Sequence, residues 1–311
     1  MRILRGLASY PPELRPCVAV LGAFDGIHLA HARLISTAVT RARALRVPSV
    51  VCTFDPHPAA VLRTDRAFTP IATLDDNLSR MAALGADAAV VIPFTVEFSR
   101  IEAVEFVDRI LVDALGVREV VVGFNHTFGH GARGTAALLT KLGPGRGFVA
   151  RVLPPLQFRG QTVSSSVIRE ALREGDAARA AELLGHPYAI AGAVLRGAGR
   201  GRTLGFPTAN LRPDRPLVLA PGVYAALAAW EGTCAKAVVN VGYRPTFGEN
   251  EYWVEAYLLD FAGELYDRTL RLEFIERIRP EMRFPGVDEL KRQVAADIDS
   301  ARARLAGVAA S

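Results

Sequence analysis

Cysteine is scarce in this chain. Cys17, Cys52 and Cys234 are the only three among 311 residues, and no two stand at a paired spacing. A disulfide-stapled fold and a cysteine-rich zinc module are thereby excluded, and unpaired thiols fit a reducing compartment. No apolar run is long enough to span a bilayer. Met1 to Arg5 lead to Pro11 and Pro12 without a hydrophobic leader region, so a cytoplasmic location is expected. The glycine-rich lysine loop of P-loop kinases is absent as well. Lysine is so rare that the formal charge of +5 rests almost wholly on arginine, and nowhere do five basic residues run together. Scattered arginines suit phosphorylated small molecules, held in bidentate forks, better than a nucleic-acid track. Genomic composition accounts for them equally well.

A hydrophobic content of 50% excludes a disordered chain. The length exceeds what one core usually fills, so two domains are expected. The first half centres on Gly22, Phe24, Asp25, Gly26, His28 and His31, written G-x-F-D-G-x-H-x-x-H. The apolar run 18–21 before it reads as a buried strand and 32–46 after it as a helix. A glycine-bracketed turn between strand and helix leaves backbone N–H groups and the positive helix end facing an anion, a seat for phosphate. His28 and His31 share one helix face and can donate to the same anion. Half of a zinc site, or plain surface histidines, compete with this reading, but isolated cysteines supply no further zinc ligands.

Strands at 49–54, 88–92, 118–123 and 147–153, alternating with helices at 74–84 and 102–115, predict a parallel α/β sheet whose ligands sit at the strands' carboxyl ends. Asp55-Pro56-His57-Pro58 follows strand 49–54. Asn125 follows strand 118–123 and is assigned to ribose or phosphate contact. The glycines 129, 131 and 134 imitate a dinucleotide fingerprint, yet they do not lie directly between strand and helix and lack the acidic ribose partner. Ser164, Ser165 and Ser166 precede a helix with Arg169 one turn inside it; an ordinary cap explains one serine, not three hydroxyls and an arginine in register. A helix at 176–184 closes this part, and 185–188 reads as a linker.

Beyond residue 188, β-rich runs at 189–195, 222–229, 236–241, 253–260 and 269–274, punctuated by Gly and Pro, predict a compact antiparallel barrel. Val287, Leu290, Val294, Ile298, Ala301 and Leu305 place an apolar stripe on a final helix. Gly197 and Gly199 lie in a basic glycine loop suited to covering phosphates, a plain hairpin being an even alternative. Gly205, Pro207, Thr208 and Asn210 follow, with the hydroxyl and the amide oxygen on one side of an extended chain, as Mg²⁺ favours. Glu255 lies inside a β run, where periodicity alone points it to solvent.

The G-x-F-D-G-x-H-x-x-H string resembles the H-x-G-H signature of the nucleotidyltransferases, and specifically their bacterial FAD synthetase branch, with Ala30 in place of the signature glycine. Asp55 to Pro58, the Asn125 loop and the Ser164–Arg169 segment are similar to further motifs of that family. Leu204 to Asn210, Asn240 to Gly248 and Val254 to Phe261 resemble riboflavin kinase, with Asp267 where that family usually has glycine. The resemblance covers essentially the whole chain. It implies a Rossmann-like nucleotidyltransferase domain (1–184), a linker (185–188), and a β-barrel riboflavin kinase domain with a C-terminal helix (189–311).

Implied with it is a cytoplasmic bifunctional enzyme. Riboflavin is phosphorylated to FMN, and FMN is adenylylated to FAD with release of pyrophosphate, using Mg²⁺ and ATP, with no nucleic-acid or membrane partner. The resemblance gives Glu255 the role of base, Thr208 and Asn210 the Mg²⁺–ATP, and His28, His31, Ser164–Ser166 and Arg169 the triphosphate. Two other readings remain: a monofunctional nucleotidyltransferase whose barrel only binds flavin, and an RNA-binding adenylyltransferase.

Overall fold

The computed structural model describes residues 1–8, 10–62, 68–196, 201, 205–246 and 249–308. Two compact units emerge, one made of Met1–Phe68 and Thr73–Ser164, the other of Thr69–Ala72 and Ser165–Ser311.

The first unit is a parallel sheet. Its strands are β1 Arg2–Arg5, β2 Cys17–Leu21, β3 Ser49–Asp55, β4 Ala88–Pro93 and β5 Val117–Gly123; the short pair β6 Thr127–Phe128 and β7 Gly134–Thr135 precedes β8 Val149–Leu153. A second short pair, β9 Gln157–Phe158 and β10 Gln161–Thr162, ends the unit. The sheet order is β1-β4-β3-β2-β5-β8, and every pairing in it is parallel. Helices α1 Leu29–Leu45, α2 Pro58–Leu62, α3 Leu74–Ala83, α4 Ala103–Glu105 and α5 Ala136–Leu142 complete it. Where one helix is expected at 102–115, α4 runs on into a wider π-helix, Phe106–Ala114.

All five residues of β2 are buried, as a strand covered on both faces requires. Cys17, Ala19 and Leu21 pack with Phe106 and Leu111 on one side, while Val18 and Val20 meet Ile35, Ala38, Val39 and Ala42 of α1 on the other. The strand order reverses between β2 and β5. In an open parallel sheet that is where a crevice opens at the carboxyl ends, and the loops leaving β2 and β5 carry Gly22–His31 and Asn125.

The second unit begins with α6 Ser165–Glu174 and α7 Ala177–Leu184, then closes β11 Tyr188–Leu195, β12 Ala209–Pro213, β13 Gly222–Trp230, β14 Thr233–Thr246, β15 Glu249–Leu258 and β16 Thr269–Arg279 into a barrel in the order β11-β12-β15-β14-β13-β16. Five strands are expected from the sequence; the sixth, β12, is held by pairing to β11 and β15. By contact α6 and α7 belong with the barrel, so this division falls before the linker expected at 185–188. The reason is local: Ala220 N donates to Leu172 O (2.9 Å) and Arg277 Nη1 to Glu174 O (3.1 Å). Buried Arg215 donates to Ile71 O (2.8 Å) and Ala189 O (2.6 Å), which ties the segment Thr69–Ala72 into this unit.

The last helix, α8 Val287–Arg304, packs Ile298, Ala301 and Leu305 on Val223, Ala225 and Leu227 of β13. Val287 does not join that stripe and is exposed, because it stands at the first turn of the helix. Among the described residues no helix is long and apolar enough to cross a membrane.

Candidate active sites

The turn after β2 is built tightly. A Cβ on Gly22 would lie 2.9 Å from the Phe24 ring, so glycine is needed for Phe24 to fold beneath the turn, where it is 1% exposed. Phe24 thus supports the turn from inside the core instead of lining its open side, and Asp25 is buried with it. Gly26 takes φ +84°, which favours glycine, and its N–H donates to Asn77 Oδ1 (2.9 Å). Thr53 Oγ1 donates to Ala23 O (3.3 Å). His28 caps α1, its Nδ1 accepting from His31 N (3.2 Å); a neutral His28 therefore carries its proton on Nε2.

The His28 and His31 rings stack, with centroids 3.5 Å apart and planes 15° from parallel. Burial holds His31 well below the usual imidazole value, with His28 and then His57 adding to the effect. The Asp55-Pro56-His57-Pro58 loop is thereby brought within electrostatic reach of the pair. His31 Nδ1 is buried without a partner among the described residues. A stacked imidazole pair at the N-terminus of a helix, with a buried ring nitrogen on His31, is placed to face an anion.

Beside the carboxyl ends of β2, β3 and β4 opens a cavity of about 510 Å³, lined by Leu21, Cys52, Phe54, Phe98, Phe106 and Phe128 among others. Its volume and aromatic walls suit a flat heteroaromatic ring. Gly129 and Gly134 shape one wall: a Cβ on Gly129 would meet the Ala103 backbone at 2.7 Å, and one on Gly134 the Phe128 ring at 2.7 Å. Two of the three glycines of the apparent dinucleotide fingerprint thus serve close packing. Asn125 is exposed on the loop after β5, next to the turn that His126 N closes on Gly123 O (3.1 Å).

Of the serine cluster, Ser165 and Ser166 open α6 and Ser164 precedes it; Arg169 is half-buried, its Nε donating to Thr69 O (3.1 Å).

On the barrel, Asn210 of β12 and Asn240 of β14 both pair with Glu255 of β15. Directly paired residues share a face, so the three form one polar row. Val254 and Ala256, on either side of Glu255, are fully buried in the barrel interior. Val223, paired with Asn240, packs under α8. The row therefore lies on the outer, α8-bearing face, with Asn210 buried and Glu255 half-buried rather than fully solvated.

Phe206 packs edge-on against Tyr257 (6.0 Å), which draws the segment carrying Gly205, Pro207 and Thr208 to the same face. Gly201 approaches it closely: a Cβ there would lie 3.0 Å from Thr208 Oγ1. Gly197 and Gly199 lie outside the described residues. Two contributors were not anticipated from the sequence. Asn77 reads as a surface residue of an amphipathic helix, and the Glu281 carboxylate lies against Gly242, two residues along β14 from Asn240.

A parallel sheet with a histidine-bearing anion turn, joined to a closed six-stranded barrel with a carboxylate row, defines a two-part nucleotide-dependent transferase. Residues 10–167 match the family model of FAD synthetase and residues 184–305 that of riboflavin kinase. The bifunctional riboflavin kinase/FMN adenylyltransferase of Pseudomonas fluorescens is 39% identical, covering 98% of each chain. The protein of that name from Escherichia coli K12 is 36% identical over 97% of each. A crystal structure described as a macrolide-efflux protein from Streptococcus pneumoniae superposes with a TM-score of 0.90 at 30% identity, covering 97% of this chain and 99% of that one. The chain belongs to the bifunctional riboflavin kinase/FMN adenylyltransferase family.

Proposed function

We propose that the two activities of this family divide between the described sites, with FMN made on the barrel and FAD on the sheet. On the barrel, Glu255 takes the proton of the 5′-hydroxyl of riboflavin as that oxygen attacks the γ-phosphorus of ATP, giving FMN and ADP. Hard oxygen donors from Thr208 and Asn210, with a carboxylate in the same row, fit Mg²⁺, whose other ligands would be phosphate oxygens and water. Bound there, the ion neutralises phosphate charge. Asn210 Nδ2 donates to Thr208 O (3.4 Å), an orientation that leaves the amide oxygen for such a role. Gly197, Gly199, Gly205 and Pro207 belong to the segment that would close over the nucleotide.

On the sheet, a phosphate oxygen of FMN attacks the α-phosphorus of a second ATP, giving FAD and pyrophosphate. The backbone of Gly22–Gly26, His28 and His31 would stabilise charge on the triphosphate, and the aromatic cavity would receive the isoalloxazine ring. Motif likeness assigns Asn125 to the nucleotide as well, and the hydroxyls of Ser164, Ser165 and Ser166 with Arg169 to the phosphates. No covalent nucleophile is required. We assign residues 1–184 and 189–311 to the two activities by motif, and the enzyme to the cytoplasm, where its free thiols stay reduced.

The observation that carries this reading is the half-buried Glu255 held in one row with Asn210 in a chain that also carries the histidine turn. The purified protein incubated with riboflavin and Mg²⁺–ATP should yield FMN first and FAD after it on a chromatogram. Accumulation of FMN with no FAD, or no conversion of riboflavin, would refute it.

A further inference from the structure

The turn that leads to His28 takes three left-handed residues in four: Phe24 at φ 46°, Gly26 at 84° and Ile27 at 38°. Two of these bear side chains, so the backbone is strained and persists only where its surroundings over-determine it. Burial of Phe24 and Ile27 supplies part of that constraint but is not directional. A hydrogen bond is. Gly26 N–H donates to Asn77 Oδ1 at 2.9 Å, in a buried setting, from an acceptor that lies on α3.

Asn77 is itself an unusual choice. It is 7% exposed, between the buried Leu78 and Met81 and the first turn of the helix. A buried amide on a helix is costly unless a partner is found. Thr73 Oγ1 caps α3 by accepting from Asp76 N (3.1 Å), and Leu78 and Met81 pack it into the core that also holds Phe24 and Ile27, so the Asn77 oxygen is presented from a fixed support.

We propose that Asn77 is a positioning residue of the adenylyl-transfer site: by accepting from Gly26 N–H it locks the strained turn in the form that presents the neighbouring backbone N–H groups and His28 to a nucleoside triphosphate. The inference rests on the reading that this turn holds ATP. Asn77 makes no contact with substrate in this scheme; it acts through Gly26.

The test compares the full-length wild type with Asn77→Leu, which keeps the size and removes the acceptor, and Asn77→Asp, which keeps an acceptor oxygen. With FMN and Mg²⁺–ATP, the leucine chain should lose roughly 10- to 100-fold in kcat/KM for ATP, while its KM for FMN and its phosphorylation of riboflavin stay at wild-type values. Amide exchange should quicken in residues 22–28 and not across the rest of the sheet unit. The aspartate chain should recover most of the loss. If the leucine chain fails to fold, Asn77→Ser, too short to reach Gly26, takes its place in the same comparison. Wild-type ATP kinetics in the leucine chain, an aspartate chain as poor as leucine, or exchange quickened evenly over the whole unit overturns the proposal. A wild type that makes no FAD from FMN would strike the reading of the site itself, a distinguishable result.

Discussion

Replacing His126 by phenylalanine probes the wall of the aromatic cavity through its proton balance. His126 lines the cavity, stacks on Phe128 at 5.8 Å and 21°, and keeps Nε2 buried without a partner among the described residues. Burial lowers its pKa from the ordinary 6.5 to about 4. As pH falls, the unfolded chain takes up this proton first. Above 6.5 the two states bind it equally little; stability is lost from 6.5 downward and the loss is complete below about 4. Between about pH 7 and about pH 5 the shift corresponds to nearly 2 kcal/mol, or about 1–2 kcal/mol once partial solvation of the ring is allowed for.

His126→Phe removes that dependence and keeps an aromatic ring against Phe128. Urea unfolding followed by far-UV circular dichroism at the two pH values should therefore show the wild type losing about 1–2 kcal/mol more than the variant. Trp230 and Trp253 both lie in the barrel, so tryptophan fluorescence should report no such difference. The same acid loss in both proteins by circular dichroism would refute the assignment of a neutral, buried imidazole to this wall.

Gly129→Ala places a Cβ against the Ala103 backbone at a residue with φ +72°. It should cost about 2 kcal/mol in the sheet unit and weaken flavin binding there, as read by quenching of FMN fluorescence. Asp297 is buried and accepts a bifurcated hydrogen bond from Arg279 Nε and another from its Nη2 (2.8–3.1 Å). Asp297→Ala leaves that arginine uncompensated and should destabilise the barrel by about 3 kcal/mol in tryptophan-detected unfolding. Glu255→Gln should lower riboflavin phosphorylation by about 100-fold or more while FAD is still made from supplied FMN, both read by chromatography.

The sheet unit is legible in the sequence because its central strands, covered on both faces, read as short apolar runs such as Val18 to Leu21 between glycine turns. β1 is not, since Arg2–Arg5 sits at a sheet edge with only Leu4 buried. β12 escapes for a different reason: Ala209–Pro213 has no alternating pattern of its own and is a strand only by virtue of distant partners. The histidine turn announces itself through glycines and spacing. The cavity does not, because its lining is gathered from segments between Leu21 and Ala132 that meet only in the fold. Glu255 shows the limit of periodicity: alternation points it outward, and only pairing with Asn210 and Asn240 reveals what it faces along the sheet.

The central claim, two independent sites in one polypeptide, is tested most directly by mixing two full-length variants that each lack one activity. Given riboflavin and Mg²⁺–ATP, Glu255→Gln alone should form FMN and FAD only at about a hundredth of the wild-type rate or less, and His28→Ala alone should stop at FMN. Combined in one tube, the two variants should make FAD, because FMN released by one is adenylylated by the other. No FAD from the mixture, or loss of riboflavin phosphorylation in the His28→Ala chain, would contradict the account.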